Sequence, residues 1–379
     1  MTQEAVDMNT IMDYLTWRGD LTFHQSALNE VDAAIFARFA YESFDGIVSE
    51  SIREWKTIGE ACNELLNLPV INCEEMDTMY DIAFVRLLKD TARFSNVKMS
   101  GYVNEIDEQK QIQFSACLFD LDGEQNYFVA FRGTDNTLVG WKEDFNMGFE
   151  FPVPAQQKAL DYLERAVSSY KDGTFIVAGH SKGGNLAVYS ATFCDDKFNM
   201  PIKDIYNFDG PGFTEAIIQT EQFKRIEHNI HTFVPEFSVV GMILEHLEDY
   251  TVVPSNNNGF MEHELLSWEI GPLGFVHKEE VSAGSRFVDK TLKDWLSGLT
   301  KDQREQFVET VYNLVKADDA RTFVEFNRNK KETLTAMLRT YRNLDENTKT
   351  GFKETAKKLL DSARNVFKDS QTREADNNE

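Results

Sequence analysis

Thr174–Ala191 reads TFIVAGHSKGGNLAVYSA, and the fold is decided there. Phe175-Ile176-Val177-Ala178 is a short apolar run, rich in β-branched and aromatic character, that reads as a buried central strand. Gly179-His180-Ser181-Lys182-Gly183 follows at once, and the residues after it favour a helix. Strand, G-x-S-x-G, helix is the context in which this motif presents a nucleophilic serine on a sharp turn. Ser181 must sit in a strained backbone conformation so that its hydroxyl stands above the sheet. Gly179 and Gly183 flank it because a Cβ at either place would strike neighbouring backbone. Gly184 lets the helix pack close to the strand. The helix start aims backbone N–H groups and a positive dipole end at the reacting oxygen.

Working outward, the surrounding pattern alternates strand with helix. Ile112–Leu121 and Tyr127–Phe131 read as strands joined by the turn signal Asp122-Gly123, an antiparallel hairpin beside the central strands. Arg132-Gly133-Thr134-Asp135 is a loop at a strand's C-terminal end, with Trp141 and Asp144 after it. Pro154–Tyr170 reads as a helix. Beyond the serine, Ile205–Phe208, His231–Val234 and Tyr250–Val253 read as strands. Thr214 to about His228 and Val239–Leu247 read as helices. This alternation predicts a mainly parallel sheet covered on both faces.

The flanks are helical. Residues 1–95 carry pieces at Asn9–Trp17, Glu30–Phe44 with Asn29 as N-cap, and Asp77–Phe94. After about Ser285 three helices are predicted: one opened by the Thr300/Gln303 capping box, then Lys331–Leu344 and Thr348–Phe367. The expected organisation is one sheet domain over residues 1–285 that includes the helical segment 1–95, a helical extension over 286–367, and a disordered tail over 368–379. No internal repeat is visible.

Composition narrows the function classes. The chain has 379 residues, 42% hydrophobic with 29 phenylalanines, enough to bury a large core. Its formal charge of −24 repels nucleic acid and anionic membranes at long range, and leaves room for a local site for a small lipid-like molecule. Cys62, Cys73, Cys117 and Cys194 follow no C-x-x-C pattern and read as buried free thiols. Met1–Asp7 is acidic and polar, unlike a secretion signal, and no apolar run reaches membrane-spanning length. The expectation is a soluble cytoplasmic protein needing no cofactor or metal. No H-E-x-x-H occurs, and His228-x-x-His231 straddles a helix end.

A serine nucleophile needs a histidine base, an acid to orient it and donors for the oxyanion. In a fold of this plan the chain order is serine, acid, histidine, which excludes His24, a loop residue with no evident partner. Of the later histidines, His263 fits best, in the loop after the last strand, and His277 is the fallback. Two carboxylates compete for the acid: Asp209 after the first strand beyond the serine helix, and Glu236 after the second. The slot after that second strand also falls on Ser238, which carries no carboxylate. The oxyanion donors are expected to be the backbone N–H of Lys182 and the backbone N–H, with the hydroxyl, of Thr134.

Phe131-Arg132-Gly133-Thr134-Asp135, Trp141, Asp144 and GHSKGG at 179–184 together resemble class three, fungal-type triacylglycerol lipases. In those enzymes FRGT supplies the oxyanion threonine and GHSxGG the nucleophile. The N-terminal residues Asp13-Tyr14-Leu15, Trp17, Gly19-Asp20 and Asn29–Asp32, with GHSKGGNLAVYSA, resemble a bacterial lipase-like family of unknown function in the α/β-hydrolase superfamily. The likeness covers roughly residues 10–280. It implies an α/β-hydrolase fold and a small-molecule acyl ester or lipid-like substrate. One departure stands out: the lipases place an Asp where this chain reads Pro235-Glu236-Phe237-Ser238-Val239-Val240. The reading is a serine esterase. Its alternative is the same fold used as a non-catalytic binding or regulatory module, and a strained serine turn beside an oxyanion loop favours the enzyme, since a scaffold needs neither.

Overall fold

A computed structural model of the chain describes residues 9–68, 79–107, 109–134, 138–147, 150–195, 202–318 and 330–376. Cys73, Asp135 and the N-terminal Met1–Asp7 lie outside the described residues, as does the side chain of Trp141. Four helices come first: α1 (Ile11–Arg18), α2 (Glu30–Phe39), α3 (Ile58–Leu66) and α4 (Met79–Lys89). The sheet has eight strands in sequential order: β1 (Lys56–Thr57), β2 (Lys98–Asp107), β3 (Ile112–Asp120), β4 (Asn126–Phe131), β5 (Thr174–His180), β6 (Ile202–Phe208), β7 (Ile230–Pro235) and β8 (Tyr250–Val253). β1 to β4 pair antiparallel and β4 to β8 parallel. The crossovers carry α5 (Leu138–Asn146) and α6 (Pro154–Ser169) before β5, α7 (Lys182–Phe193) before β6, and the short α8 (Glu215–Ile218) and α9 (Glu221–Ile226) before β7. This is an α/β-hydrolase fold.

Both faces of the sheet are buried, which is why its strands read as near-continuous apolar runs. Along β4, Tyr127, Val129 and Phe131 point into the core shared with α6 and α7, while Phe128 and Ala130 point into the core under α1 to α4. The same period of two sorts Phe175 and Val177 of β5 from Ala178. The N-terminal helices are therefore one of the two layers that cover the sheet. α2 is held by its predicted cap: Asn29 accepts from the backbone N–H of Val31 and Asp32. Asp32 is itself buried against Arg93, whose Nη2 donates to it at 2.5 Å.

Several boundaries differ from the sequence reading. β2 was not anticipated, because its left-handed Gly101 (φ 62°) and a register irregularity between Ser100 and Val103 break the alternation. Val239–Leu247 forms only one 3₁₀ turn, Val240–Met242, instead of a helix. Helix formation is overridden there by contacts to Asp209, by the left-handed Leu244 (φ 67°) and by the pairing of Glu245 with Phe213. The helix expected from Thr214 breaks in two at Thr220, which caps the second piece. At the C-terminal end, α10 (Ala283–Ser297), α11 (Lys301–Val315), α12 (Lys330–Asn343) and α13 (Glu346–Asp376) follow. Residues 368–376, expected to be disordered, continue α13: the chain there holds no Gly or Pro to end it.

Candidate active site

The turn between β5 and α7 carries Ser181 at φ 58° and ψ −133°, a conformation that side chains adopt rarely. The glycines around it are steric necessities. A Cβ on Gly179 would come within 2.1 Å of Gly183 backbone, and one on Gly183 within 2.2 Å of the Phe131 carbonyl oxygen. On the facing loop, a Cβ on Gly133 would reach 2.2 Å from the Tyr41 hydroxyl and 3.0 Å from the Ser181 Cβ. The loop after β4 and the serine turn are thus pressed together, which puts Thr134 and the start of α7 side by side.

His263 ends a 3₁₀ turn, Gly259–His263, beyond β8. Its Nδ1 lies 2.5 Å from Asp209 Oδ2. Asp209 follows β6 in a left-handed conformation (φ 49°) and is fully buried. Its other oxygen accepts from the Ser238 hydroxyl at 2.5 Å and from the Gly241 N–H at 3.1 Å. Gly241 is required at that approach, since a Cβ would fall 2.3 Å from Asp209 Oδ1. The structure brings Asp209, and not Glu236, to the imidazole. Glu236 sits at the open end of β7, half exposed, where Lys278 Nζ donates to its carboxylate. The chain position that could have held a second acid beside the imidazole is occupied by Ser238, which instead donates to Asp209.

His180 links the serine turn to the histidine loop. Its Nε2 is 2.8 Å from the His263 carbonyl oxygen, its Nδ1 is 2.9 Å from the Tyr41 hydroxyl, and its ring lies 4.4 Å from the His263 ring. Only a protonated Nε2 can donate to that carbonyl, so Nδ1 accepts from Tyr41. Burial, reinforced by the neighbouring His263, holds the His180 pKa well below the ordinary histidine value, so the ring is neutral. Among the described residues no hydrogen bond joins the Ser181 hydroxyl to His263. A base and its nucleophile commonly close to bonding distance only once substrate is present.

On the loop facing the serine turn, the Thr134 hydroxyl donates to Asp144 Oδ2 at 2.5 Å. The Asp144 side chain is 27% exposed, yet burial of the surrounding atoms raises its pKa to about 6, against the opposing pull of Lys182 and of the Thr134 bond. Lys182 turns its side chain inward and is buried with Glu143, Nζ to Oε2 2.9 Å. Sequence reasoning missed Glu143, Gln113 and Tyr41, which lie 38, 68 and 140 positions before Ser181 and outside any motif, and it took Ser238 only as a slot without a carboxylate. One signal was available: a lysine inside the buried serine turn requires a buried counter-charge.

The remaining histidines are elsewhere. His231 pairs with Asp204 at 3.0 Å and His246 with Glu248 at 3.0 Å, while His228 and His277 are exposed. His24 has a partner after all, Glu124 at 3.9 Å. Together with Asp122 the two form the one group of possible metal ligands among the described residues, on the surface, with ligand atoms within 4.8 Å of one another. Among the described residues no helix is long and apolar enough to cross a membrane.

A family model described as Mbeg1-like matches residues 88–313. No curated protein matches the chain. Solved structures that it resembles include the Rhizomucor miehei lipase in its propeptide complex, 14% identical over 51% of this chain, with TM-score 0.34. The chain spans 64% of that lipase, under two thirds of its length. Lipase II from Rhizopus niveus is 12% identical over 53% of this chain and 77% of its own, with TM-score 0.34. A triacylglycerol lipase from Penicillium expansum is 13% identical over 50% of this chain and 78% of its own, with TM-score 0.32.

Proposed function

The chain belongs to the Mbeg1-like family, and we propose that it is a serine hydrolase that cleaves a small acyl ester or lipid-like substrate in the cytoplasm. Ser181 is the nucleophile, His263 the general base, and Asp209 the acid that orients His263. The backbone N–H groups of Lys182 and Thr134 receive the oxyanion, and the Thr134 hydroxyl, donated to Asp144, anchors the loop that carries the second of them. The observation that carries this reading is the 2.5 Å contact of buried Asp209 with His263 Nδ1, beside a serine held at φ 58°. A carboxylate on Nδ1 leaves Nε2 as the free, basic nitrogen and stabilises the imidazolium formed when it takes the serine proton. His263 later returns that proton to the leaving alcohol, and water repeats the cycle on the acyl-enzyme. Cys62 and Cys117 are buried and free, which supports a reducing compartment.

The test is covalent labelling with a fluorophosphonate. The protein is expected to label at Ser181, and Ser181→Ala to abolish labelling while melting at the same or a higher temperature, because alanine keeps the Cβ and backbone of the turn and residues kept for activity are rarely the most stable choice. Labelling that survives in Ser181→Ala refutes the nucleophile. A folded wild-type protein that never labels points to the binding-module alternative.

A further inference from the structure

We propose that Lys182, Glu143 and Gln113 form a buried brace that sets the two backbone oxyanion donors against each other, making all three positioning residues of the reaction. The inference rests on the hydrolase reading above. The two donors belong to different elements: Lys182 N–H opens α7, and Thr134 N–H lies on the loop after β4. Their separation has to be fixed by something that reaches from one element to the other.

The Lys182 side chain does this. Its Nζ donates to the Gln113 carbonyl at 2.8 Å, to Gln113 Oε1 at 2.6 Å and to Glu143 Oε2 at 2.9 Å, so all three ammonium hydrogens are used. The Gln113 amide then passes the constraint on, because its Nε2 donates to the Gly133 carbonyl at 3.3 Å. That carbonyl belongs to the same peptide unit as the Thr134 N–H. The unit is planar and trans, so holding its C=O also fixes the direction of its N–H. Glu143 completes the brace from α5: Oε2 also accepts from Gln113 N–H at 3.2 Å, and Oε1 accepts from Ala155 N–H at 2.9 Å, at the start of α6. Glu143 and Gln113 are fully buried and Lys182 nearly so. The residue after Glu143 is Asp144, which holds the Thr134 hydroxyl, so the first half of the brace and the hydroxyl contact share one helix.

A purely structural ion pair predicts that replacing it with a neutral pair of similar shape leaves chemistry alone. The brace predicts otherwise. The double variant Lys182→Met/Glu143→Gln is expected to fold with a lowered melting temperature, because no unpaired charge is left but the single acceptor oxygen of Gln keeps only one of the bonds to the Gln113 and Ala155 N–H groups. Its kcat for a p-nitrophenyl ester is expected to fall about 10- to 100-fold with KM changed less than about twofold, the signature of a contact made in the transition state. Gln113→Met, which leaves the ion pair in place, is expected to lower kcat in the same way and provides the test if the double variant does not fold. A folded double variant or Gln113→Met protein with wild-type kcat overturns the brace while Ser181→Ala remains inactive. If wild type and Ser181→Ala hydrolyse the ester alike, the hydrolase reading falls, and the brace with it.

Discussion

At the scale of single residues, the choice between two carboxylates is a question of burial. Asp209 has no exposure and donors on both oxygens, so its negative charge is compensated where it meets His263. Glu236 faces solvent with Lys278. Asp209→Asn is therefore expected to cut ester turnover on the order of 10²- to 10⁴-fold, and Glu236→Gln to stay within about twofold. A larger loss in Glu236→Gln than in Asp209→Asn would reverse the assignment. Asp144 lends itself to a separate measurement. Its folded pKa of about 6 is above the ordinary aspartate value, so between about pH 4 and 6 the folded protein binds more protons than the unfolded chain. Stability contributed at this site is present at low pH and is lost as pH rises through that window. His180, held neutral, acts in the opposite sense, so the comparison must be between variants. Relative to wild type, Asp144→Asn is expected to gain about 1–3 kcal/mol at pH 7 and nothing at pH 3.5, read from denaturant titrations. Equal pH dependence in the two proteins would contradict the raised pKa.

At the scale of elements, the site is an arrangement of strand ends. β5 delivers Ser181, β6 delivers Asp209, β4 delivers Thr134, and the segment after β8 delivers His263, all at the carboxyl ends of parallel strands. Contact between the β4 loop and the serine turn is close enough that one methyl group breaks it. Gly133→Ala would put a Cβ 2.4 Å from the His180 carbonyl oxygen and 2.2 Å from the Tyr41 hydroxyl. The turn cannot yield without moving Ser181. Gly133→Ala is expected to lose at least about tenfold in the rate of fluorophosphonate labelling, with a lowered melting temperature. A variant that labels at the wild-type rate would show that the loop can shift without disturbing the serine. Elements also explain the misread stretch after β7. Val239–Leu247 has helical apolar spacing, but the Gly241 N–H is drawn to Asp209 and the Glu245 backbone to Phe213, and a helix would have used those groups internally.

At the scale of the molecule, the C-terminal helices buttress the site from two sides. The Ser285 hydroxyl of α10 donates to the Ser238 carbonyl at 2.5 Å, and the Ser238 hydroxyl is the one on Asp209. α11 packs on α5, where Lys142 meets Glu309 at 2.5 Å and lies 4.7 Å from the Tyr312 ring centre. α5 is also the helix of Glu143 and Asp144. A chain ending at residue 282 is thus expected to lose labelling and to aggregate, as measured by fluorophosphonate reaction and size-exclusion chromatography. A monomeric, labelled truncation would show that the helices are an independent appendage.

The sequence by itself determined the features that depend on neighbours in the chain. The apolar run into G-x-S-x-G and the helix after it specified the strained turn, because the clash that forbids a Cβ on Gly179 is with Gly183, inside the same five residues. Two-residue and helical periodicities specified the central strands and the longer helices, because each depends on one face being buried. Chain order excluded His24, and the loop position after the last strand favoured His263 over the fallback His277 among the seven histidines. Only the tertiary structure decided which acid meets it. Asp209 and Glu236 both follow strands in the right order, and which one is desolvated depends on Ser238 and Gly241 arriving from another segment. The partners of Lys182 were equally unreadable. Gln113 and Glu143 precede it by 69 and 39 positions, and nothing local in the chain encodes a hydrogen bond across such distances. They meet because β3, α5 and the start of α7 pack together, and an ammonium buried there is tolerable only with all three of its donors satisfied.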